Sequence, residues 1–167
     1  YDWVEGAWVK RPDPSVLPST GYGVALTSDG TVMAVAHENS PRITTYDWVE
    51  GAWVKRPDPS VLPPDTAYGV ALTPDGTLMA VAHNDSPFIT TYDWVEGAWV
   101  KRPNPASLPT GSGRGVALTP DGALMAVAHD NSPYVTTYDW VEGAWVKRPD
   151  PASLPTGSGR GVALTPD

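Results

Sequence analysis

Apolar residues in this chain come in runs of four to seven, each closed by turn-forming residues. The stretch "GVALTPDGTLMAVAHNDSPFITTYDWVEGAWVKRP" (69–103) shows the pattern once through. Gly69 to Thr73 is a short apolar run, and Pro74, Asp75 and Gly76 close it with a tight turn. Thr77 to His83 is the return run, and "NDSP" ends it. Phe88 to Trp94 is dense in β-branched and aromatic residues, "VEG" turns the chain again, and Ala98 to Arg102 stops at Pro103. No stretch keeps a helical period of 3.6. The pattern predicts strands near 23–27, 32–37, 42–48 and 52–56, with equivalents one period on.

The period is explicit. "YDWVEGAWVKRP" begins at Tyr1, Tyr46, Tyr92 and Tyr138, in steps of 45, 46 and 46 residues. A fixed spacing of this size marks a repeat architecture. Each repeat reads as a four-stranded meander. Its first two strands are apolar on both faces: Val70 and Leu72 alternate with Ala71, and Leu78, Ala80 and Ala82 alternate with Met79 and Val81. A sheet apolar on both faces has to be covered on both. The fourth strand carries charge and ends in proline, as an exposed edge does. Four-stranded blades packed face to face satisfy this, so the expected fold is an all-β β-propeller of antiparallel blades, about 46 residues per repeat.

The expected division is 1–12 as outer strands of a split blade, 22–57, 68–103 and 114–149 as blades, and 160–167 as the inner strand of the next. Val24, Leu26, Val70, Leu72, Val116 and Leu118 are expected to be buried between blades. Lys55, Arg56, Lys101 and Arg102 are expected at the outer rim, with burial declining from first strand to fourth. The fourth copy reaches thirty residues, to Asp167. A longer tandem array, or copies joining edge to edge, is therefore expected to close the ring.

The residues "GVALTPDGTLMAVAH…ITTYDW" resemble a WD-repeat or related bacterial propeller blade. "TPDG" falls at that family's first hairpin turn. Tyr46-Asp47, Tyr92-Asp93 and Tyr138-Asp139 fall where its Trp-Asp dipeptide ends the third strand. The family's Gly-His pair is absent, with "TAYG" (66–69) or "GSGRG" (111–115) in its place. The near-identical copies look most like repeats in tail and other virion proteins of bacteriophages. That resemblance implies a structural or host-contact role, a virion or surface location, and other virion proteins or host surface glycans as partners.

Composition narrows the chemistry. The chain is 41% hydrophobic, enough to bury a core, while nineteen prolines and sixteen glycines disfavour a helical bundle. The net charge of -8 opposes binding to nucleic acid and to anionic lipid. No apolar run reaches the roughly 20 residues of a spanning helix. Cysteine is absent, which removes disulfides, thiolate nucleophiles and zinc–thiolate sites. His37, His83 and His129 recur once per repeat without a second ligand type at zinc spacing, so no metal or cofactor is expected. Nothing singles out one nucleophile among interchangeable copies, so no catalytic residue is expected and the chain reads as non-enzymatic.

The recurrent tryptophans admit two readings. Each pair flanking "VEGA" can meet across its hairpin as a packing unit. Alternatively, one aromatic per repeat serves as a platform for sugars, as in a multivalent glycan-binding lectin. The candidate contact residues are Trp48, Trp94 and Trp140, together with Arg42, Phe88 and Tyr134, the variable positions after "SP".

Overall fold

The computed structural model describes residues 1–165. Among them there is no helix. A two-stranded hairpin, β1 (Asp2–Val4) and β2 (Ala7–Val9), comes first. Sheet I follows with β3 (Gly21–Leu26), β4 (Val32–His37), β5 (Ile43–Val49) and β6 (Ala52–Lys55). Sheet II holds β7 (Ala67–Leu72), β8 (Leu78–His83), β9 (Ile89–Val95) and β10 (Ala98–Lys101). Sheet III holds β11 (Gly113–Leu118), β12 (Leu124–His129), β13 (Val135–Val141) and β14 (Ala144–Lys147). Each of these sheets is an antiparallel meander in sequence order, giving a propeller-like arrangement of repeated four-stranded blades.

The turns follow from their residues. In the first hairpin of sheet I, Asp29 Oδ1 accepts from Thr27 Oγ1 at 2.6 Å, Thr31 N at 3.0 Å and Thr31 Oγ1 at 2.8 Å. Those bonds hold the Asp29 carboxyl down at about 2. Asp75 and Asp121 make the same turn in their repeats. The second hairpin closes through two residues, Glu50 (φ 48°) and Gly51 (φ 83°), between the paired Val49 and Ala52. Two successive positive φ values match the twist of the flanking strands. Antiparallel order puts both hairpin turns at one end of a sheet. The turn between second and third strands, and the long connection to the next sheet, lie at the other end.

Each sheet has two unlike faces. In sheet I, Ala25, Ala34, Ala36 and Ile43 form a face of mostly small side chains. Val70, Leu72, Met79, Val81, Tyr92, Trp94 and Trp99 of sheet II pack against it. Sheet II presents Ala71, Ala80, Ala82 and Ile89 to the matching large face of sheet III: Val116, Leu118, Met125, Val127, Tyr138, Trp140 and Trp145. Alternation along β7 and β8 thus sends Ala71, Ala80 and Ala82, with Leu78, one way and Val70, Leu72, Met79 and Val81 the other.

Small faces let first strands come into backbone contact. A Cβ on Gly69 would meet Gly115 Cα at 3.0 Å and Arg114 O at 3.1 Å, and one on Gly23 would meet Tyr68 O at 2.8 Å. The series continues, because a Cβ on Gly115 would meet Gly161 Cα at 2.9 Å.

Four expectations are corrected. Burial peaks at the second strand, not the first: β8 is buried throughout, while β7 is only partly buried, since second strands have a neighbour on each edge as well as on each face. Val70 and Val116 are buried, and Leu72 and Leu118 are half-buried, but Val24 (64% exposed) and Leu26 (54%) lie on a face that no described residue covers. Arg56 is buried and Arg102 half-buried rather than standing out at the rim, where Lys55 and Lys101 are themselves only half-exposed. Residues 160–165 form no strand, because no ladder partner lies beside them; the rest of that predicted strand, 166–167, falls outside the described residues.

The glycine contacts generate a prediction. Gly69→Val should destabilise by about 1–3 kcal/mol, the range for overpacking a filled site. Gly157→Ala, at a glycine with open space around it, should stay within about 0.5 kcal/mol. Urea denaturation midpoints check both.

Candidate functional site

The recurrent dodecapeptide builds the junction between neighbouring sheets. Its Asp sits on the third strand of a sheet, and its Arg directly follows the fourth strand of the same sheet. Arg56 Nε and Nη2 donate to Asp47 Oδ1 at 2.9 and 2.7 Å. Held there, the Arg56 guanidinium lies 4.1 Å from the ring centroid of Trp94, in the next sheet. The same step recurs from Arg11 to Trp48 at 4.4 Å and from Arg102 to Trp140 at 3.9 Å. A guanidinium over an indole face contributes roughly 0.5–2 kcal/mol, more as water is excluded.

The second tryptophan of each motif closes the junction in the opposite direction. Trp99 Nε1 donates to Thr45 Oγ1 of the preceding sheet at 2.9 Å, and Trp145 Nε1 to Thr91 Oγ1 at 3.0 Å. The two tryptophans of a motif also meet across the hairpin. Trp94 and Trp99 are ladder partners with ring centroids 5.0 Å apart, and Trp48–Trp53 and Trp140–Trp145 repeat the pairing at 4.9 and 5.0 Å. In sheets I to III the tyrosine that opens the motif is buried and secures the long connection: Tyr92 Oη donates to Val61 O at 3.0 Å, and Tyr46 Oη to Val16 O at 2.8 Å. In sheets I and II the tyrosine, aspartate, arginine and tryptophans of the motif are therefore engaged in joining sheets or holding their connections, while its glutamate is exposed.

The junctions differ in one detail. Arg11 Nη1 donates to Gly30 O at 2.9 Å, whereas Nη1 of Arg56 and of Arg102 is buried without a partner. For Arg56 in sheet I and Arg102 in sheet II, the guanidinium depends on its carboxylate and the neighbouring sheet's indole alone.

The structure separates the predicted contact residues into two groups. Trp48, Trp94 and Trp140 lie close to the hairpin-turn end, half-buried, each with one ring face covered by an arginine. Arg42, Phe88 and Tyr134 lie at the opposite end, in the turn between second and third strands, and are also half-buried. Their φ values are 71°, 68° and 68°, and the carbonyl of each accepts from the backbone N–H of the histidine five residues earlier at 2.9–3.0 Å. These positions vary between copies because the turn uses their backbone, leaving the side chain free to differ. The two groups do not form one surface.

The histidines are structural members of that same turn. Nε2 of His37, His83 and His129 bonds Thr44, Thr90 and Thr136 Oγ1 at 2.8–2.9 Å, and all three rings are buried. Ser19 and Thr110 hydroxyls stand 3.2 and 3.5 Å from Nδ1 of His37 and His129. Pro64 occupies the position of Thr110 one period earlier (110 − 46 = 64) and offers no hydroxyl, and His83 Nδ1 is buried without a partner. Burial lowers all three histidines, His83 to about 4. The residues sequence reasoning missed here are Arg11, Arg56 and Arg102. Their signal was present in the constant nine-residue spacing from Asp to Arg in every copy.

Comparison with known proteins adds the fold alone. No family profile and no curated protein matches the chain. Among solved structures, it is similar to the hydrazine synthase of Kuenenia stuttgartiensis at 16% identity and a TM-score of 0.64, over 96% of this chain and 42% of that one. It is also similar to a candidate 6-phosphogluconolactonase of Bacteroides fragilis NCTC 9343 at 14% identity and a TM-score of 0.67, over 83% of this chain and 40% of that one. The chain thus spans about two-fifths of the length of either.

Two measurements test these contacts, the first of them at the junction. A double-mutant cycle with Arg56→Met and Trp94→Leu should return a coupling of about 0.5–2 kcal/mol; additive effects would show the stacking to be idle. The second concerns pH. His83 binds its proton less readily folded (about 4) than unfolded (near 6.5), so the unfolded chain takes up protons first as pH falls. Stability should be full above pH 6.5 and decline toward pH 4, with His83→Gln showing a shallower decline in melting temperature over that window.

Proposed function

We propose that the chain is a β-propeller segment serving as a non-enzymatic structural and interaction module, in a virion or surface assembly. Its ring closes through further repeats or other copies of itself. The observation that supports this reading best is the use made of the dodecapeptide. Asp, Arg and both tryptophans bind one sheet to the next, so the most repeated chemistry in the chain serves assembly of the repeat itself. The near-identity of the copies supports it too, since an active site needs distinct groups converging on one point.

The glycan-binding alternative requires an open aromatic face in each repeat. Trp48, Trp94 and Trp140 each have a guanidinium at 3.9–4.4 Å over the ring. That takes up one face of each ring, which weighs against that alternative. The virion setting rests on the resemblance of the tandem copies to phage repeats.

A glycan array probed with the intact chain and with Trp94→Ala separates the two readings. The structural reading expects Trp94→Ala to lower the melting temperature and no glycan signal that depends on Trp94. A signal abolished by Trp94→Ala, with the melting temperature unchanged, would replace the module with a lectin.

A further inference from the structure

Each internal junction joins a small face to a large one. On the small side stand an alanine of the first strand, a threonine of the third and the arginine after the fourth: Ala25, Thr45 and Arg56 in sheet I. On the large side stand two apolar residues of the first strand and the tryptophan pair: Val70, Leu72, Trp94 and Trp99 in sheet II. The chain repeats this match between sheets II and III.

Both halves of the same junction are also present without a mate among the described residues. On one side, Trp3 (61% exposed) and Trp8 (68%) of the first hairpin stand with ring centroids 5.2 Å apart, in the arrangement of Trp94 and Trp99. Below the hairpin, Val24 and Leu26 expose the large face of β3. On the other side, Arg148 is fixed to Asp139 at 2.6 Å, but its side chain is 47% exposed, against 9% for Arg56 and 15% for Arg102. Thr137 occupies the position of Thr45 and Thr91. Ala163 occupies that of Ala25 and Ala71, and it is exposed, while its neighbours Val162 and Leu164 are half-buried.

We infer that these two faces are interaction surfaces for each other, and that a second copy of this chain docks head to tail across them. Arg148 of one copy stacks on Trp3 of the other, and Trp8 Nε1 donates to the Thr137 hydroxyl. Ala163 lies against Val24 and Leu26. A small face does not complement another small face, nor a large one another large one. Association is therefore heterologous rather than two-fold symmetric about the contact, and it propagates until the turn of the sheets closes a ring. Exposed apolar surface of this kind is the ordinary mark of an unformed contact. The inference rests on the structural-module reading. A monomeric chain would sink this inference alone, whereas a Trp94-dependent glycan signal would sink the reading beneath it.

Light scattering coupled to size exclusion tests it on the full 167-residue chain. A mass above the 17.8 kDa of one chain that rises with concentration is expected. Arg148→Glu and Trp3→Ala, each on its own, should shift the chain to monomer with an unchanged circular dichroism spectrum. Mixed together, the two variants should regain a dimer, because one keeps an intact large face and the other an intact small face. A two-fold symmetric contact would give no such recovery. If Trp3→Ala alters the hairpin, Val24→Glu makes the same test at a side chain already exposed in the single chain. A folded monomer at every concentration, polydisperse aggregates, or association indifferent to Arg148→Glu would each overturn the inference.

Discussion

The approach of neighbouring first strands to backbone contact is the constraint on which the other features depend. Gly23, Gly69, Gly115 and Gly161 lie one period apart, and a side chain on any of the first three would intrude on the backbone of the next strand along. Contact this close is compatible with only one pairing of faces. Alanines must stand opposite Val, Leu and Met, because two large faces would hold the sheets apart and two small ones would leave voids. Once sheets meet along their inner strands, their twist carries the outer strands apart. There the larger groups, tryptophan and arginine, bridge the wider space. Side-chain size therefore grows from the inner strand outward along each junction.

This gradient explains what the sequence showed and what it concealed. The alternation of Val70, Ala71 and Leu72 announced a strand covered on both faces, and turns such as "PDG" and "VEG" set strand ends within a residue or two. Those signals are local, and they survive in a single repeat. The role of Arg56 was concealed because it depends on a neighbour thirty-eight residues away, Trp94 (94 − 56 = 38). By composition alone an arginine before a proline on an outer strand looks solvated. Only the stacked geometry shows it desolvated, with its charge balanced by Asp47 at 2.7 Å.

Burial order was misread for a related reason. Hydrophobicity along β7 and β8 is similar, so the sequence ranks them alike. What separates them is sheet topology: β8 has strands on both edges, while β7 has one edge without a ladder partner. The variable residues Arg42, Phe88 and Tyr134 carry a comparable lesson. Their variation reflects a turn that recruits main-chain atoms, and a backbone carbonyl hydrogen-bonded to a histidine N–H leaves no trace in side-chain identity.

Because the arginine and the tryptophan that meet at a junction come from consecutive copies of one dodecapeptide, inserting or deleting a whole repeat recreates every junction unchanged. Stability in such an array grows nearly as a sum of nearest-neighbour terms. The gene can then lengthen or shorten by unequal exchange without passing through a misfolded intermediate. A point change inside the motif, by contrast, damages two neighbours at once. Such a system favours copying the motif whole over drifting within it, and verbatim recurrence of twelve residues at Tyr1, Tyr46, Tyr92 and Tyr138 is the record such a process leaves.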